Sequence, residues 1–376
     1  MKALFVSNDP SLFIEGSATR VRIRSYAEAI GELHILSRGP RTFSIDDGPL
    51  HLHMKKAGRL SSLFALLKAA RKLIRTHGIE VVSAQDPFEH GWAALRAVTG
   101  TPAKLHIQVH TDFRSPWFVR SGGLRAQSVR MPLLNRVRVR IADHVLPHAN
   151  GIRVVSKRIK DSLVAQYGTR IPVPAVIPIE VSVTLPEPIP FPPHDFTFSL
   201  ITASRLEPEK RIEDIIDALA LIHERYPSAG LFIVGDGREK PRLMRQVARL
   251  GLGSKVIFLG EKTPTETLGF MRSANAFIQA SAYEGYGRTL IEAALARVPI
   301  ITTDVGIVGE VFAGYSEVLA VPVADPAAFA VHIVGLIEDQ QARKLLVIGA
   351  EQAAKEHLEL LGSRPERIAA DLAQAT

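Results

Sequence analysis

Residues 172–193 read PVPAVIPIEVSVTLPEPIPFPP, and the eight prolines in that stretch limit the fold more than any other feature of the chain. Each proline fixes φ and removes a backbone donor, so the segment cannot be helix or inner strand. It reads as a linker over 172–195, dividing the chain into domains at 1–171 and 196–376. Two α/β domains of that size each bury about 70% of their unfolded surface. The last helix is expected to pack back on the first domain.

On both sides of the linker, short β-like runs alternate with helix-like ones, which implies parallel sheets. Before it, strands are expected at Lys2–Ser7, Leu33–Ser37, Leu50–Lys55, Val81–Gln85 and Leu105–His110, with helices at Arg20–Ile30 and about Leu60–Thr76. After it, strands at Phe196–Ala203, Leu231–Gly235, Val256–Leu259 and Ala276–Gln279 alternate with helices at Glu209–Tyr226, Lys240–Leu250 and Thr265–Ser273. The segment RVRVRIADHV (136–145) has strand-like alternation inside a helix-like context and fits either state.

Composition narrows the function classes. With no cysteine, disulfides, thiolate metal sites and cysteine nucleophiles are excluded. No apolar run approaches the roughly 20 residues that span a bilayer, and the opening MKALFVSNDP meets an acid at Asp9, so a cytoplasmic location is expected. Residues 1–180 hold 27 Lys and Arg against 13 Asp and Glu, while the remainder holds 19 against 25. That asymmetry fits a polyanionic partner or simply a basic protein. Arg120, Arg125, Arg130, Arg136, Arg138 and Arg140 lie beside Leu133, Leu134, Val137 and Ile141, a pattern suited to the inner face of an anionic membrane or to a solvated basic surface. Pro132 interrupts any continuous amphipathic helix there.

The sharpest chemical signal is SAYEGYGRTLIEAALARVPIITTD (281–304), a strand end, a glycine pair, a helix and another strand. Glu284 lies in the loop, Gly285 and Gly287 let backbone amides approach a ligand, and Arg288 opens a helix whose free N–H groups favour an anion. Glu292 follows within two helical turns as an acceptor for a ribose or sugar hydroxyl. Upstream, Arg205 stands at a strand's C-terminal end and Lys210 at the next helix start, the edge where open α/β sheets bind ligands. Two cations converging there would neutralise a pyrophosphate; the plain alternative is a turn with solvated charges.

These segments resemble the retaining glycosyltransferases of the GT-B fold, family 4 (glycosyl transferases group 1), from about Phe196 to Phe312. The matching pieces are SRLEPEK, LFIVGDG (231–237), VIFLGEK (256–262), EGYGRTLIE and PIITTDVGIVGEV (299–311). The resemblance implies two facing Rossmann-like domains with the active site in the cleft between them. It implies a sugar moved from a nucleoside-diphosphate sugar, UDP- or GDP-linked, to an acceptor hydroxyl with retention of anomeric configuration. Glycolipid or cell-envelope polysaccharide synthesis is the expected setting, with a glycan, a lipid-linked or a phosphorylated acceptor. Catalytic roles then fall on Glu284, His110, Arg205 and Lys210, and donor binding on Gly16, Arg20, Gly235, Gly260, Glu261, Gly285, Tyr286, Gly287, Arg288 and Glu292. His110 comes from HIQVHTDF (106–113), and Gly16 and Arg20 from the loop EGSATRVR (15–22); QDPFEHGWAAL (85–95) and GIRVVSKRIKDSL (151–163) match more loosely.

The chain departs from the family at VIPIEV (176–181), where members carry Asn-Gly, and at Arg297, where a glycine usually precedes Val-Pro. No permanently bound cofactor is implied, and no Asp-x-Asp occurs, which fits a metal-independent leaving-group strategy. A nicotinamide enzyme would need G-x-G-x-x-G, but Lys240 stands in the third glycine's place of the nearest candidate. Nucleic-acid binding is not expected, because aromatics make up only 6% and do not interleave with the cations. The open alternatives are a sugar-nucleotide epimerase, a sugar phosphorylase or a non-catalytic sugar-nucleotide-binding protein.

Overall fold

The computed structural model describes residues 1–58, 62–118, 133–181, 183–314 and 316–376. They form two compact units, one from the described residues of Met1–Arg114, Met131–Pro178 and Ser363–Thr376, the other from those of Ser115–Arg130 and Ile179–Gly362.

The first unit holds β1 (Lys2–Ser7), α1 (Ala18–Ile30), β2 (Glu32–Gly39), β3 (Phe43–Asp47), β4 (Leu50–Lys56), α2 (Ser62–His77), β5 (Val81–Ala84), α3 (Glu89–Val98), β6 (Lys104–Val109), α4 (Leu133–Val145), β7 (Gly151–Val154), α5 (Lys157–Tyr167) and β8 (Ala175–Val176). Its sheet runs β3-β4-β2-β1-β5-β6-β7-β8. All neighbours are parallel except β3 against β4, so the expectation of a purely parallel sheet needs correcting. Both 43–47 and 50–56 are half-polar, and Asp47, Gly48 and Pro49 make a turn short enough for a hairpin but not for a crossover. The proline-rich stretch also contributes here, since Ala175–Val176 pairs with β7 at the sheet edge, where missing donors matter least.

Segment 133–145 is helical throughout. Its apparent strand alternation is overridden by packing, with Ala142 and Val145 fully buried while Arg136 and Val137 face outward. Arg120, Arg125, Arg130 and Pro132 lie outside the described residues.

The second unit holds β9 (Phe198–Ala203), α6 (Ile212–Ile222), β10 (Ala229–Val234), α7 (Lys240–Arg249), β11 (Val256–Gly260), α8 (Pro264–Ser273), β12 (Ala276–Gln279), α9 (Arg288–Leu295), β13 (Ile300–Thr303), β14 (Leu319–Val321), α10 (Pro326–Glu338) and α11 (Gln340–Leu360). Its six strands are all parallel, in the order β11-β10-β9-β12-β13-β14. Every residue of β9, β10, β12 and β13 is buried, as strands covered on both faces require. Helix starts follow local chemistry: Thr263 and Glu266 form a reciprocal capping box on α8, and Asp325 and Asp339 cap α10 and α11.

The second half of the proline-rich stretch is fastened to this unit. Phe191 stacks on Phe232 with centroids 3.8 Å apart, a contact worth about 0.5–1.5 kcal/mol beyond area burial. Ile189 lies so close to Gly269 that a Cβ there would come within 2.6 Å of its side chain. The chain's last helix, α12 (Arg364–Ala375), belongs instead to the first unit, where Ile368 and Leu372 join the core formed by α1 and β1.

Candidate functional site

In the second unit the strand order reverses between β9 and β12, and ligands of open α/β sheets bind at the carboxyl ends of strands at such a switch. The loops leaving those two strands are tied together by Ala282 N–H donating to the Glu209 carbonyl at 2.7 Å. Each loop delivers one member of an ion pair. Lys210 Nζ lies 2.5 Å from Glu284 Oε1, and Ser281 Oγ donates to the same oxygen at 2.7 Å. Ser281 is itself held by Thr303 Oγ1, which donates to its carbonyl at 2.6 Å.

The conformation that presents Lys210 is set by its neighbour. Arg211 stands in the left-handed region at φ 49, between the 3-10 turn Pro208–Lys210 and α6. A non-glycine residue there is strained, and a fork of two 2.7 Å hydrogen bonds from its guanidinium to Asp214 holds it in place. Trp117 lies under that guanidinium at 5.7 Å.

A cavity of about 770 Å³ lies alongside, lined by Arg205, Gly235, Glu261, Arg288 and Glu292 among others. Gly235 is required by close approach: at φ 125, a Cβ would fall 1.9 Å from the Ser204 carbonyl oxygen. Gly287 (φ 90) turns the chain into α9, and Gly306 passes so close to the Tyr286 carbonyl that no side chain fits. Glu292 is held by Arg288 Nε at 2.6 Å; burial nevertheless pushes its carboxyl above the usual range. The Tyr283 hydroxyl, also near the loop, is pushed up to about 12, first by burial and then by the charges of Glu209 and Glu284.

The structure thus brings together most of the residues expected from sequence, with three differences. Arg205 and Lys210 do not converge on one point: Lys210 is 15% exposed and bound to Glu284, whereas Arg205 is 76% exposed and reaches Glu209 at 3.6 Å. Tyr286 is not a ligand-facing side chain. Its ring is buried and its hydroxyl meets His357 Nε2 on α11 at 2.7 Å, so an aromatic within a glycine loop serves the core. Arg20, in the first unit, is bound to Asp47 of β3 at 3.0 Å through both Nε and Nη2 and is largely covered. Gly16 adopts φ 72 in the loop after β1, with open space around it.

His110 directly follows β6 in the first unit, at the head of a buried polar chain that sequence reasoning missed. Asp371 of α12 accepts from His106 Nε2 at 3.0 Å, and His106 Nδ1 accepts from Ser83 Oγ at 2.8 Å. Ser83 Oγ accepts from Gln108 Nε2 at 2.9 Å, and Gln108 Oε1 accepts from His110 Nε2 at 3.1 Å. An amide oxygen only accepts, so His110 carries its proton on Nε2 and keeps a lone pair on Nδ1. Burial, together with the cationic Arg153 and Arg364, lowers its pKa to about 3. The period-two polarity of HIQVH, with His106, Gln108 and His110 on one sheet face, was the signal that could have revealed this chain.

Next to it, Asp86 follows β5 and is hydrogen-bonded to His90 Nδ1 and to the amides of Phe88 and His90. Burial alone would raise the Asp86 carboxyl; the His90 contact and those amides outweigh it and leave the pKa lowered.

Comparison with known proteins gives two family matches that divide the chain between them. The glycosyltransferase family 4 model matches residues 23–185, and the glycosyl transferases group 1 model matches 194–353. Glycogen synthase of Mycobacterium tuberculosis is 31% identical over 154 residues, which is 41% of this chain and only 37% of that protein. An uncharacterized glycosyltransferase of Methanocaldococcus jannaschii is 25% identical across 81% of this chain and 78% of its own length. Among solved structures, sucrose-phosphate synthase from Thermosynechococcus elongatus superposes with a TM-score of 0.80 at 19% identity, covering both chains completely. Anabaena HepE, solved in complex with UDP-glucose, superposes at 0.72 and 19% identity over all of both chains. Both likenesses are of GT-B fold.

Proposed function

The chain belongs to the group 1, family 4 glycosyltransferases of GT-B fold, and on that premise we propose that it moves a sugar from a nucleoside-diphosphate sugar to an acceptor hydroxyl with retention of configuration. The observation that carries the reading is the Lys210–Glu284 pair at the β9/β12 switch point, beside a cavity rimmed by Arg205, Arg288 and Glu292.

In this reading the diphosphate lies across the N-terminus of α9, whose macrodipole favours an anion. Arg205, exposed and held among the described residues by a long contact to Glu209, swings onto the phosphates, and Lys210 supplies the second cation. Glu284, oriented by Ser281 and Lys210, accepts hydrogen bonds from the transferred sugar. Glu292 accepts from the ribose, and Gly235, Gly260 and Glu261 line the donor's flank. Catalysis is then positional and electrostatic: the acceptor hydroxyl attacks from the face the leaving group departs, and its proton passes to a phosphate oxygen. His110 donates through Nε2 to Gln108 and offers Nδ1 to a sugar hydroxyl.

The test is a transfer and donor-hydrolysis screen with UDP-, GDP- and ADP-sugars. UDP-glucose heads it because HepE was solved with that donor, and UDP-N-acetylglucosamine follows because a pneumococcal O-GlcNAc transferase of 21% identity was solved with UDP and GlcNAc. No donor cleavage and no thermal stabilisation by any of them would refute the reading. A lipid-linked acceptor at an anionic membrane is the finer part of the proposal. It is supported by exposed Leu134 and Val137 beside Arg136 and Arg140 on α4. Sedimentation with anionic vesicles at low salt tests it, and absence of binding would remove it.

A further inference from the structure

Four of the chain's 13 histidines meet at the lower end of the first unit's sheet, the end opposite His110. His34, two residues into β2, is fully buried. Its ring lies 4.6 Å from that of His51, 5.3 Å from that of His53 and 4.4 Å from that of His77. Glu32 opens β2 and His77 closes α2, and one ligand atom each from Glu32, His34 and His77 can be chosen so that all lie within 4.8 Å of one another. We propose that Glu32, His34 and His77 form a binding site for a divalent transition-metal ion, zinc foremost, that clamps the start of β2 to the end of α2.

Three features beyond proximity support this. The first is the donor set. Two imidazoles and one carboxylate match zinc sites that keep a fourth position for water, and nitrogen donors select zinc, cobalt, nickel or copper over magnesium and calcium. A tetrahedral ion with ligands at about 2.0–2.1 Å needs its donor atoms about 3.4 Å apart. His77, half-buried at a helix end, has the freedom to close that gap.

The second is the support around the ligands. His34 Nδ1 is 3.0 Å from His53 Nε2, and His53 Nδ1 is 2.9 Å from Ser44 Oγ. An outer partner of that kind fixes the tautomer of a ligating histidine and leaves His34 Nε2 for the ion. Glu32 is held on its far oxygen by Lys2 at 2.8 Å, while its other oxygen points at His34 Nε2 at 2.9 Å, a contact the ion replaces. The third is the field: His77 occupies the last turn of α2, at the negative end of the helix dipole, which favours a cation.

The test uses the untagged full chain, stripped with EDTA and desalted, titrated calorimetrically with ZnCl2, and with CoCl2 followed by visible absorption. The expected result is one ion per chain, intense cobalt bands of tetrahedral type, and no heat with MgCl2. His77→Ala and Glu32→Gln, both at positions that reach solvent, are expected to weaken zinc binding by about 10-fold or more, the scale seen even for outer-shell partners. His148→Ala, on an exposed histidine outside the cluster, leaves it unchanged. Should either ligand variant lose its native circular dichroism, His77→Gln replaces it. No zinc binding by the wild type, or equal affinity in the wild type and the ligand variants, overturns the proposal.

Discussion

Lys210 Nζ lies 2.5 Å from Glu284 Oε1, although the two residues are 74 positions apart and leave the sheet from different strands. Their pairing makes the β9/β12 switch point one electrostatic unit, in which the cation that would meet a departing diphosphate also orients the carboxylate that would meet the sugar. Lys210→Ala and Glu284→Gln should each lower kcat by about 100- to 1000-fold, the usual loss on removing one preorganised group from a developing charge. Arg205→Ala should act similarly, with Arg205→Lys recovering only part, because an ammonium cannot reproduce a bidentate guanidinium. Steady-state kinetics alongside thermal melts separate lost turnover from lost fold, and wild-type kcat in all of them would sink the donor-site assignment.

Turnover should survive chelation. The leaving group's charge is assigned here to Arg205, Lys210 and the α9 amides, and the sequence has no Asp-x-Asp to hold a divalent ion. Transfer measured with and without EDTA checks this. Complete loss of activity, restored by magnesium or manganese, would show that a metal does the work given to these groups.

Arg297 occupies the left-handed region at φ 62, at the position where the family usually places glycine. That conformation costs a non-glycine residue about 1–2 kcal/mol, against about 0.2–1 kcal/mol from its 3.1 Å ion pair with Glu351. Arg297→Gly should therefore raise stability by up to about 1 kcal/mol, or roughly 2–4 °C in Tm. Arg297→Ala, which keeps the strain and loses the pair, should lower it. The two melts must move in opposite directions.

His110 should make the protein less stable in mild acid. Its folded-state pKa of about 3 lies below the unfolded value of 6.5. Above pH 6.5 both states are neutral and nothing changes. Below it the unfolded chain takes up a proton that the native state refuses, so stability falls until the pH reaches about 3. His110→Gln removes the linkage. Its Tm should drop less than the wild type's between pH 7 and 5, and parallel curves would contradict the burial argument.

Much of the fold was legible because its causes are local. Proline runs, period-two and period-3.6 apolar patterns and capping residues act within a few positions, and so they marked two α/β sheets, one parallel and one parallel but for the β3–β4 hairpin, and the strand–turn–helix at 281–295. Gly287 could be placed at a helix start and Glu292 inside that helix for the same reason, since a helix start and its offsets are written in adjacent letters. The resemblance of EGYGRTLIE and its neighbouring motifs to one enzyme family supplied the chemistry that is proposed for them.

What only the tertiary structure decided involves partners far apart in the chain. The hydrogen bond from His106 to Asp371 spans 265 positions, and the meeting of Glu32, His34 and His77 depends on how α2 lies against β2. Tyr286 looked like part of a ligand loop until α11 supplied His357 as its partner, and 136–145 looked like either state until burial of Ala142 and Val145 made it a helix. In each case local propensities differ by less than about 1 kcal/mol per residue, whereas burying a large side chain or satisfying a buried polar group contributes about 1–3 kcal/mol, so packing settles what the letters leave open.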